Sequence, residues 1–258
     1  MKILLINGSP RKTSTTFRVV QQIANVMREG DFPVEFDEVH LCEMNLRMCR
    51  GCYQCLSGDE SMCPLQDDRA LLEKKMTEAD AVIFSSPVYV ANVSALFKNF
   101  VDRFAYCCHR PRFHGKSAMV VSSAGSDGAG IVNILMTMMI ETWGFDVVKR
   151  LGVNLDPNLS VEAKTRQWKI NELKAHKAAL AFDKKLQRTR KPVAKFAKLY
   201  AFQLQKKDFA HTDKTRADYI YWRDNGWLAP RKSFYIDASI NPAKLILARL
   251  LAGISRRS

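Results

Sequence analysis

Short apolar runs alternate with helix-like patterns along the first 153 residues of the chain. Runs that are apolar throughout, or that alternate in polarity, predict β-strands at residues 2–7, 33–41, 81–86, 117–123 and 145–153. Between them, apolar residues recur at helical spacing over residues 15–28, 67–78, 94–106 and 130–143. Strands that alternate with helices are typical of a parallel sheet covered by helices on both faces. We therefore predict a doubly wound α/β domain with five parallel strands.

The last hundred residues differ from the first part in both pattern and charge. Apolar spacing predicts helices at 161–187, 193–206 and 243–254, with an irregular segment rich in Tyr and Trp before the last one. Residues 1–157 contain 17 Lys and Arg against 18 Asp and Glu, whereas residues 158–258 contain 23 against 8. The turn-forming run Asp156-Pro157-Asn158 marks the change. We expect one domain over 1–157 and a basic helical C-terminal extension over 158–258.

The overall composition indicates the cellular location of the protein and the kinds of partner it can bind. The first residues do not fit a secretory leader, and no stretch reaches the roughly 20 apolar residues of a spanning helix, so we expect a cytoplasmic location. The basic extension leaves several interpretations open: a solvated helical face, a surface that attracts an acidic electron-transfer protein, or peripheral contact of the last helix with an anionic membrane. Because no known nucleic-acid module is present, we do not expect nucleic acid as a partner.

Three loops that follow predicted strands have unusual compositions. In an open α/β sheet, ligands bind beyond the carboxyl ends of the strands. The loop at 8–16 places five hydroxyl residues and Arg11 before a helix, which suits a bound phosphate, and it matches neither a dinucleotide fingerprint nor a Walker A loop. The loop at 86–93 offers Tyr89 for stacking on a flat cofactor. The loop at 123–130 has three glycines, which permit close approach of its backbone to a ring.

Four cysteines have a compact spacing, Cys49-x2-Cys52-x2-Cys55-x7-Cys63, and a proline follows the last of them. This arrangement is similar to the ligand run of bacterial ferredoxins. In a chain without signs of secretion, clustered thiols indicate metal or redox chemistry more often than structural disulfides. A zinc site, a redox-active thiol pair, an oligomer contact and an empty loop remain open as alternatives.

Four segments, taken in order, resemble the NADPH-dependent FMN reductase and iron–sulfur flavoprotein branch of the flavodoxin-like superfamily: NGSPRKTSTT, CRGCYQCLSGDESMCPLQDD, SSPVYVANVSALFKNFVDR and SSAGSDGAG. The resemblance extends from residue 1 to about residue 153 and implies a flavodoxin-like fold that binds FMN non-covalently. It implies that the FMN phosphate is bound by Ser9, Arg11, Ser14, Thr15 and Thr16. It implies that the isoalloxazine is contacted by Pro87, Val88, Tyr89, Val90, Asn92, Ala124, Gly125 and Gly128.

The resemblance also implies partners and an activity. A four-iron, four-sulfur cluster held by the four spaced cysteines would exchange electrons with FMN. We expect an FMN-dependent oxidoreductase that takes electrons from NAD(P)H or a ferredoxin-like donor and passes them to a small-molecule acceptor such as a quinone. No catalytic acid, base or nucleophile is required, and a homodimer or homotetramer is expected. The alternatives are an electron-transfer iron–sulfur flavoprotein without its own substrate and a cofactor-free regulatory or interaction protein.

Overall fold

The computed structural model describes residues 1–187 and 191–254, which form two compact units. The first unit contains residues 1–50, 65–104 and 116–187, and the second contains residues 51–64, 105–115 and 191–254. This division differs from the boundary expected at residue 157. Residues 158–187 belong to the first unit, and two internal segments join the C-terminal residues in the second.

The first unit is built on a five-stranded sheet. Its strands, in chain order, are β1 (Lys2–Asn7), β2 (Glu35–His40), β3 (Ala81–Pro87), β4 (Ser117–Ala124) and β5 (Asp146–Asn154). Neighbouring strands all pair in parallel, in the order β2-β1-β3-β4-β5. This strand order is that of flavodoxin-like sheets, so the predicted fold class is confirmed.

The helices are numbered in chain order through both units. They are α1 (Thr15–Arg28), α2 (Gln54–Ser57), α3 (Arg69–Glu78), α4 (Ala95–Arg103), α5 (Ala129–Thr142), α6 (Val161–Leu186), α7 (Phe196–Ala210), α8 (Ala217–Asp224) and α9 (Pro242–Ile254). Two short 3-10 helices span Glu60–Met62 and Ala105–Cys108. Within the described ranges, no helix combines the length and the apolar character needed to cross a membrane.

Apolar side chains cover both faces of the sheet in the first unit, which explains why its strands are apolar on successive positions. On one face, α1 and α6 pack against the strands, and the buried Phe182 of α6 shares a cluster with Phe17 of α1. On the other face, rings such as Phe84, Phe100 and Trp143 meet at centroid distances of 5.4–6.4 Å. Residues 158–187 therefore pack with the first unit through α6.

The second unit has its own aromatic core. Trp222 lies at its centre, with ring centroids 5.2 Å from Trp227, 5.4 Å from Phe202 and 5.7 Å from Tyr235. Trp222 belongs to α8, a helix inside the segment that the sequence predicted to be irregular. The prediction was wrong there because the buried face of this eight-residue helix carries a charged residue, Asp218, beside Trp222, so it shows no apolar helical pattern. The helix is stabilised by its packing in this core.

Candidate cofactor site

The loop after β1 is shaped by the side chain of Asn7, a buried residue at the end of the strand. Its Oδ1 accepts a hydrogen bond from the Ser9 N–H at 3.0 Å, and its Nδ2 donates to the Lys12 carbonyl at 3.4 Å. The Ser9 hydroxyl in turn accepts the Arg11 N–H at 3.1 Å. These bonds fold the loop over the strand end and leave Arg11 exposed.

His40, at the end of β2, forms a hydrogen bond with the side chain of Asn7. The Asn7 amide donates to Nδ1 of His40 at 3.0 Å, so this ring nitrogen is the acceptor and the ring proton lies on Nε2. Burial lowers the pKa of His40, with the charge of Lys12 acting in the same direction. The neutral imidazole is therefore the form that fits this contact, and it extends the polar support of the loop to the edge of the sheet.

The N-terminus of α1 closes the same loop. Ser14 is its buried N-cap, and its hydroxyl accepts the Phe17 N–H at 3.1 Å. The first N–H groups of any α-helix have no acceptor within the helix, and the helix dipole makes this end positive. Together with the exposed Arg11, and with the half-buried Thr15 at the first helical position, they form a site suited to an anion.

Hydrogen bonds bring the three predicted loops together at the carboxyl edge of the sheet. The hydroxyl groups of Thr16 and Ser123 are 2.6 Å apart, which links the first loop to the third. The Val88 N–H donates to the Ser123 carbonyl at 2.8 Å, which links the second loop to the third. Gly8 donates to the Ser85 carbonyl, also at 2.8 Å, and links the first loop to the end of β3. The loops therefore form one continuous cradle.

A tight turn projects from the second loop. Tyr89 and Asn92 exchange backbone hydrogen bonds of 2.9 and 3.0 Å, and the two residues between them, Val90 and Ala91, have φ angles of 49° and 56°. This left-handed conformation costs about 1–2 kcal/mol for each residue with a side chain. Tyr89 is 43% exposed as a residue, so the turn presents an aromatic side chain at the rim of the cradle.

Gly128 sets the distance between the third loop and the second. It has a φ of +97° immediately before α5, and a Cβ atom at this position would lie 3.2 Å from Cγ1 of Val88. A larger residue would be strained by the backbone and crowded by the neighbouring loop. The cradle thus combines an anion site, an exposed aromatic ring and a glycine that permits close approach. These features fit a phosphorylated flat ring such as FMN.

The cysteine segment begins in the first unit, where α4 holds it. Asn99 accepts the Cys49 N–H at 2.9 Å, and the Arg103 guanidinium donates to the Arg47 carbonyl at 2.8 Å. Arg103 also forms a fully buried ion pair with Asp67. Burial alone would raise the pKa of Asp67, but the hydrogen bonds from Arg103 and from backbone N–H groups outweigh it and lower the pKa.

Cys52, Cys55 and Cys63 belong to the second unit, where two arginines hold the segment that carries them. Arg110 donates to the Cys55 carbonyl and lies 3.3 Å from Glu60, and Arg112 pairs with the same carboxylate. Burial opposes ionisation of Glu60, but hydrogen bonding and the two guanidinium charges prevail and lower its pKa.

The four spaced thiols differ in their exposure. Cys52 is exposed, whereas Cys49, Cys55 and Cys63 are half-buried. Among residues 1–187 and 191–254, the structure does not gather three or more His, Cys, Asp or Glu side chains in a way that could hold a metal ion. Ligation of a cluster by these cysteines therefore stays a prediction from their spacing.

All thirteen residues predicted to contact FMN lie on the three loops of the first unit, but they differ in position. Ser9, Ser14 and Thr16 are buried and shape the loops, whereas Arg11, Tyr89 and Gly125 are exposed at the rim. The Asn92 side chain bonds to the adjacent Val93 N–H at 2.8 Å. The remaining members are Thr15, Pro87, Val88, Val90, Ala124 and Gly128.

Sequence reasoning missed the buried polar residues that hold these loops and the cysteine segment. They include Asn7, Ser94, Asn99 and Arg103. Ser94 caps α4, and its backbone N–H donates to the Ser86 hydroxyl at 3.0 Å. The spacing of Asn99 and Arg103 did not single them out, because Lys98 and Asp102 on the same helix are also four residues apart and form an exposed ion pair.

The fold and the cradle define a flavodoxin-like, FMN-dependent oxidoreductase. More particularly, the chain belongs to the NADPH-dependent FMN reductase family, whose model matches residues 1–157. The chain is thus an enzyme of the oxidoreductase class whose cofactor is FMN.

Individual relatives support this assignment. An iron–sulfur flavoprotein of Archaeoglobus fulgidus is 31% identical over 231 residues, which cover 88% of this chain and all of the relative. An iron–sulfur flavoprotein of Methanocaldococcus jannaschii is 40% identical over 103 residues, 40% of this chain and 51% of the relative.

Solved structures show the same fold at low sequence identity. An NAD(P)H:quinone oxidoreductase from Methanothermobacter marburgensis superposes with a TM-score of 0.53 at 20% identity, covering 69% of this chain and 97% of the other. An FMN-dependent NADH-azoreductase from Bacillus anthracis, in complex with FMN, gives a TM-score of 0.53 at 12% identity, covering 71% and 100%.

Proposed function

We propose that the cradle of the first unit binds FMN and that the enzyme transfers electrons from NAD(P)H, or from a ferredoxin-like donor, to a small acceptor such as a quinone. The observation that carries this proposal is the meeting of the three loops, linked by the bonds from Ser123 to Thr16 and to Val88. A quinone as acceptor is supported by the name of the oxidoreductase from Methanothermobacter marburgensis, which has the same fold.

The residues of the cradle divide between the two ends of the cofactor. Arg11, Thr15 and the first N–H groups of α1 would bind the phosphate, in a loop whose shape depends on Ser9, Ser14 and Thr16. The isoalloxazine would lie against the other two loops, with contacts from a set that is mostly apolar or small: Pro87, Val88, Tyr89, Val90, Asn92, Ala124, Gly125 and Gly128.

The protein contributes binding and electrostatics to the reaction. When bound, FMN would supply the electron chemistry between the donor and the acceptor. The first N–H groups of α1 and Arg11 would stabilise the negative charge of the phosphate, and Gly128 would permit close approach of the third loop to the ring. The exposed rim at Tyr89 and Gly125 leaves the cradle accessible to both substrates.

Steady-state turnover tests this function. The holoenzyme should oxidise NADPH or NADH in the presence of a water-soluble quinone, and Arg11→Ala should raise the FMN concentration needed for half-maximal activity about tenfold. Arg28→Ala, at the opposite end of the same helix, is the matched control and should leave that concentration unchanged. A protein that binds FMN but passes electrons to the quinone neither from a nicotinamide nor from a reduced ferredoxin would instead be an electron carrier.

We further propose that Cys49, Cys52, Cys55 and Cys63 hold an iron–sulfur cluster. The compact spacing supports this proposal, as does the name of the relative from Archaeoglobus fulgidus. Metal binding often completes the folding of its ligand segment.

Analysis of iron and sulfide after anaerobic purification tests the cluster. Cys52→Ser and Cys55→Ser should each lose most of the iron, whereas Cys42→Ser, an exposed thiol outside the spacing, should retain it. Full activity in a protein without iron would show that the cluster proposal is wrong.

We also propose a homodimer or homotetramer, and an acidic protein as an additional electron-transfer partner of the basic surface. The excess of cations after residue 157 supports the second proposal, because opposite charge accelerates encounter. Sedimentation velocity of the holoenzyme tests the first, and a monomer at micromolar concentration would contradict it.

A further inference from the structure

Helix α9, at the C-terminal end of the second unit, is apolar on two opposite sides. Its inner side carries the fully buried Ala248 and Ala252, which pack on the second unit. Its outer side exposes five large apolar side chains, each between 40% and 74% exposed: Ile246, Leu247, Leu250, Leu251 and Ile254. A contiguous exposed patch of large apolar side chains marks an interaction surface, so the outer side of α9 is expected to have an occupant.

Cations border this outer side. Lys244 and Arg249 belong to α9 itself, and residues 238–258 contain no Asp or Glu. From the neighbouring α7, Lys206 and Lys207 line a groove together with Arg249. The Lys207 ammonium donates to the carbonyls of Ala252 and Gly253, both at 3.1 Å, and this places a positive charge at the C-terminal end of α9.

We propose that the outer side of α9 binds an anionic phospholipid surface, with the helix axis parallel to the membrane plane. An apolar face flanked by Lys and Arg is the pattern of helices that lie at a membrane interface. The helix has 13 residues, which give a length of about 20 Å, less than the roughly 30 Å of a bilayer core, so it can lie on the membrane but not cross it.

A second copy of this chain is the main competing occupant, and charge disfavours it. A symmetric pair formed through this face would place the cations of both protomers, Lys244 and Arg249 among them, around one interface to which α9 contributes no Asp or Glu. Like charges in such a contact repel each other. An anionic headgroup layer instead neutralises them, while the acyl region accepts the apolar side chains.

Vesicle co-sedimentation of the full-length holoenzyme tests the proposal. We expect the protein to pellet with vesicles of equal parts phosphatidylglycerol and phosphatidylcholine at low salt, and at least about fivefold less with phosphatidylcholine alone or at about 0.5 M NaCl. The double variant Ile246→Ser/Leu250→Ser should bind at least about tenfold more weakly. Leu173→Ser/Leu180→Ser removes two equally exposed leucines from α6 and should bind as the unchanged protein does.

The outcomes distinguish a membrane from a second copy of the chain as the occupant of this surface. They do not depend on the proposed electron transfer. Both double variants should retain FMN binding and the far-UV circular dichroism of the unchanged protein, which together show that the first and the second unit are folded. Equal vesicle binding by the two variants, or no vesicle binding by the unchanged protein, would overturn the proposal. A lower mass in sedimentation velocity for the α9 variant, without vesicle binding by either form, would assign the surface to a second copy instead.

Discussion

Arg110 and Asp218 form a buried ion pair although 108 residues separate them in the chain. Asp218 also lies 2.9 Å from Nδ1 of His109, and Arg110 reaches the Cys55 carbonyl with its second amino group. The pair therefore joins the three segments of the second unit, one of which carries Cys52, Cys55 and Cys63. The C-terminal residues thus support the cysteine segment.

Asp218→Asn should destabilise the second unit, because it leaves the buried Arg110 guanidinium without one of its anionic partners. Removal of one partner from a buried pair costs about 3 kcal/mol or more. Hydrogen exchange of the backbone amides of α7 and α8, measured as a function of urea, reports this loss in the second unit. Asp237→Asn is the control, since Asp237 and its partner Lys191 are both exposed. Equal stability of the two variants would show that the buried pair does not hold the unit together.

Ala91→Gly should stabilise the cofactor-free protein, in contrast to the usual effect of glycine. Ala91 has a φ of 56°, so glycine relieves the left-handed strain and raises the free energy of unfolding by about 0.5–1 kcal/mol. Ala181→Gly, inside α6, should lower it by about 1 kcal/mol. Denaturant unfolding of both variants shows whether the free energy of unfolding rises or falls in each. A loss of stability for both would mean that the turn is not strained.

The second unit should lose stability as the pH falls below about 6.5, because the buried His114 resists protonation in the folded protein. Burial, with a smaller contribution from Lys198, lowers the pKa of His114 to about 3. The unfolded chain takes up this proton near pH 6.5 while the folded chain does not. Stability is thus complete above pH 6.5 and falls by up to about 1.4 kcal/mol per pH unit until the folded pKa is reached.

His114→Phe keeps an aromatic ring against Tyr235, which is 4.0 Å from the imidazole, and should flatten the pH dependence of the free energy of unfolding between pH 6.5 and 4.5. His176→Phe, at an exposed position on α6, is the control and should retain the slope. If both variants retain it, His114 is protonated in the folded protein as readily as in the unfolded chain.

The sheet and the three loops were predictable from the sequence because they depend on local patterns. Buried parallel strands such as Ile3–Ile6 are apolar on successive positions, and turns rich in Ser, Thr and Gly follow them. The division into two units was not predictable. It depends on contacts such as the ion pair of Arg110 with Asp218. These contacts connect distant residues and produce no periodic pattern in the sequence.

Within the candidate site, the composition of the loops was predictable but the roles of individual residues were not. Five hydroxyl residues indicated an anion site, yet Ser14 caps a helix and Thr16 bonds to Ser123. A hydroxyl can face a ligand or support the backbone. The choice depends on contacts between distant parts of the chain, such as the bond between Thr16 and Ser123, which are 107 residues apart. Local sequence cannot distinguish these two uses.

Titration of the cofactor-free protein with flavins, followed by flavin fluorescence, tests the central claim that the three loops form one FMN site. We predict one FMN per chain, bound at least about 100-fold more tightly than riboflavin, because the phosphate gains charge-assisted hydrogen bonds at Arg11 and the α1 N-terminus. Arg11→Ala should reduce this preference about tenfold, and Arg28→Ala should leave it unchanged. Absence of FMN binding, or equal affinity for riboflavin and FMN, would contradict the account.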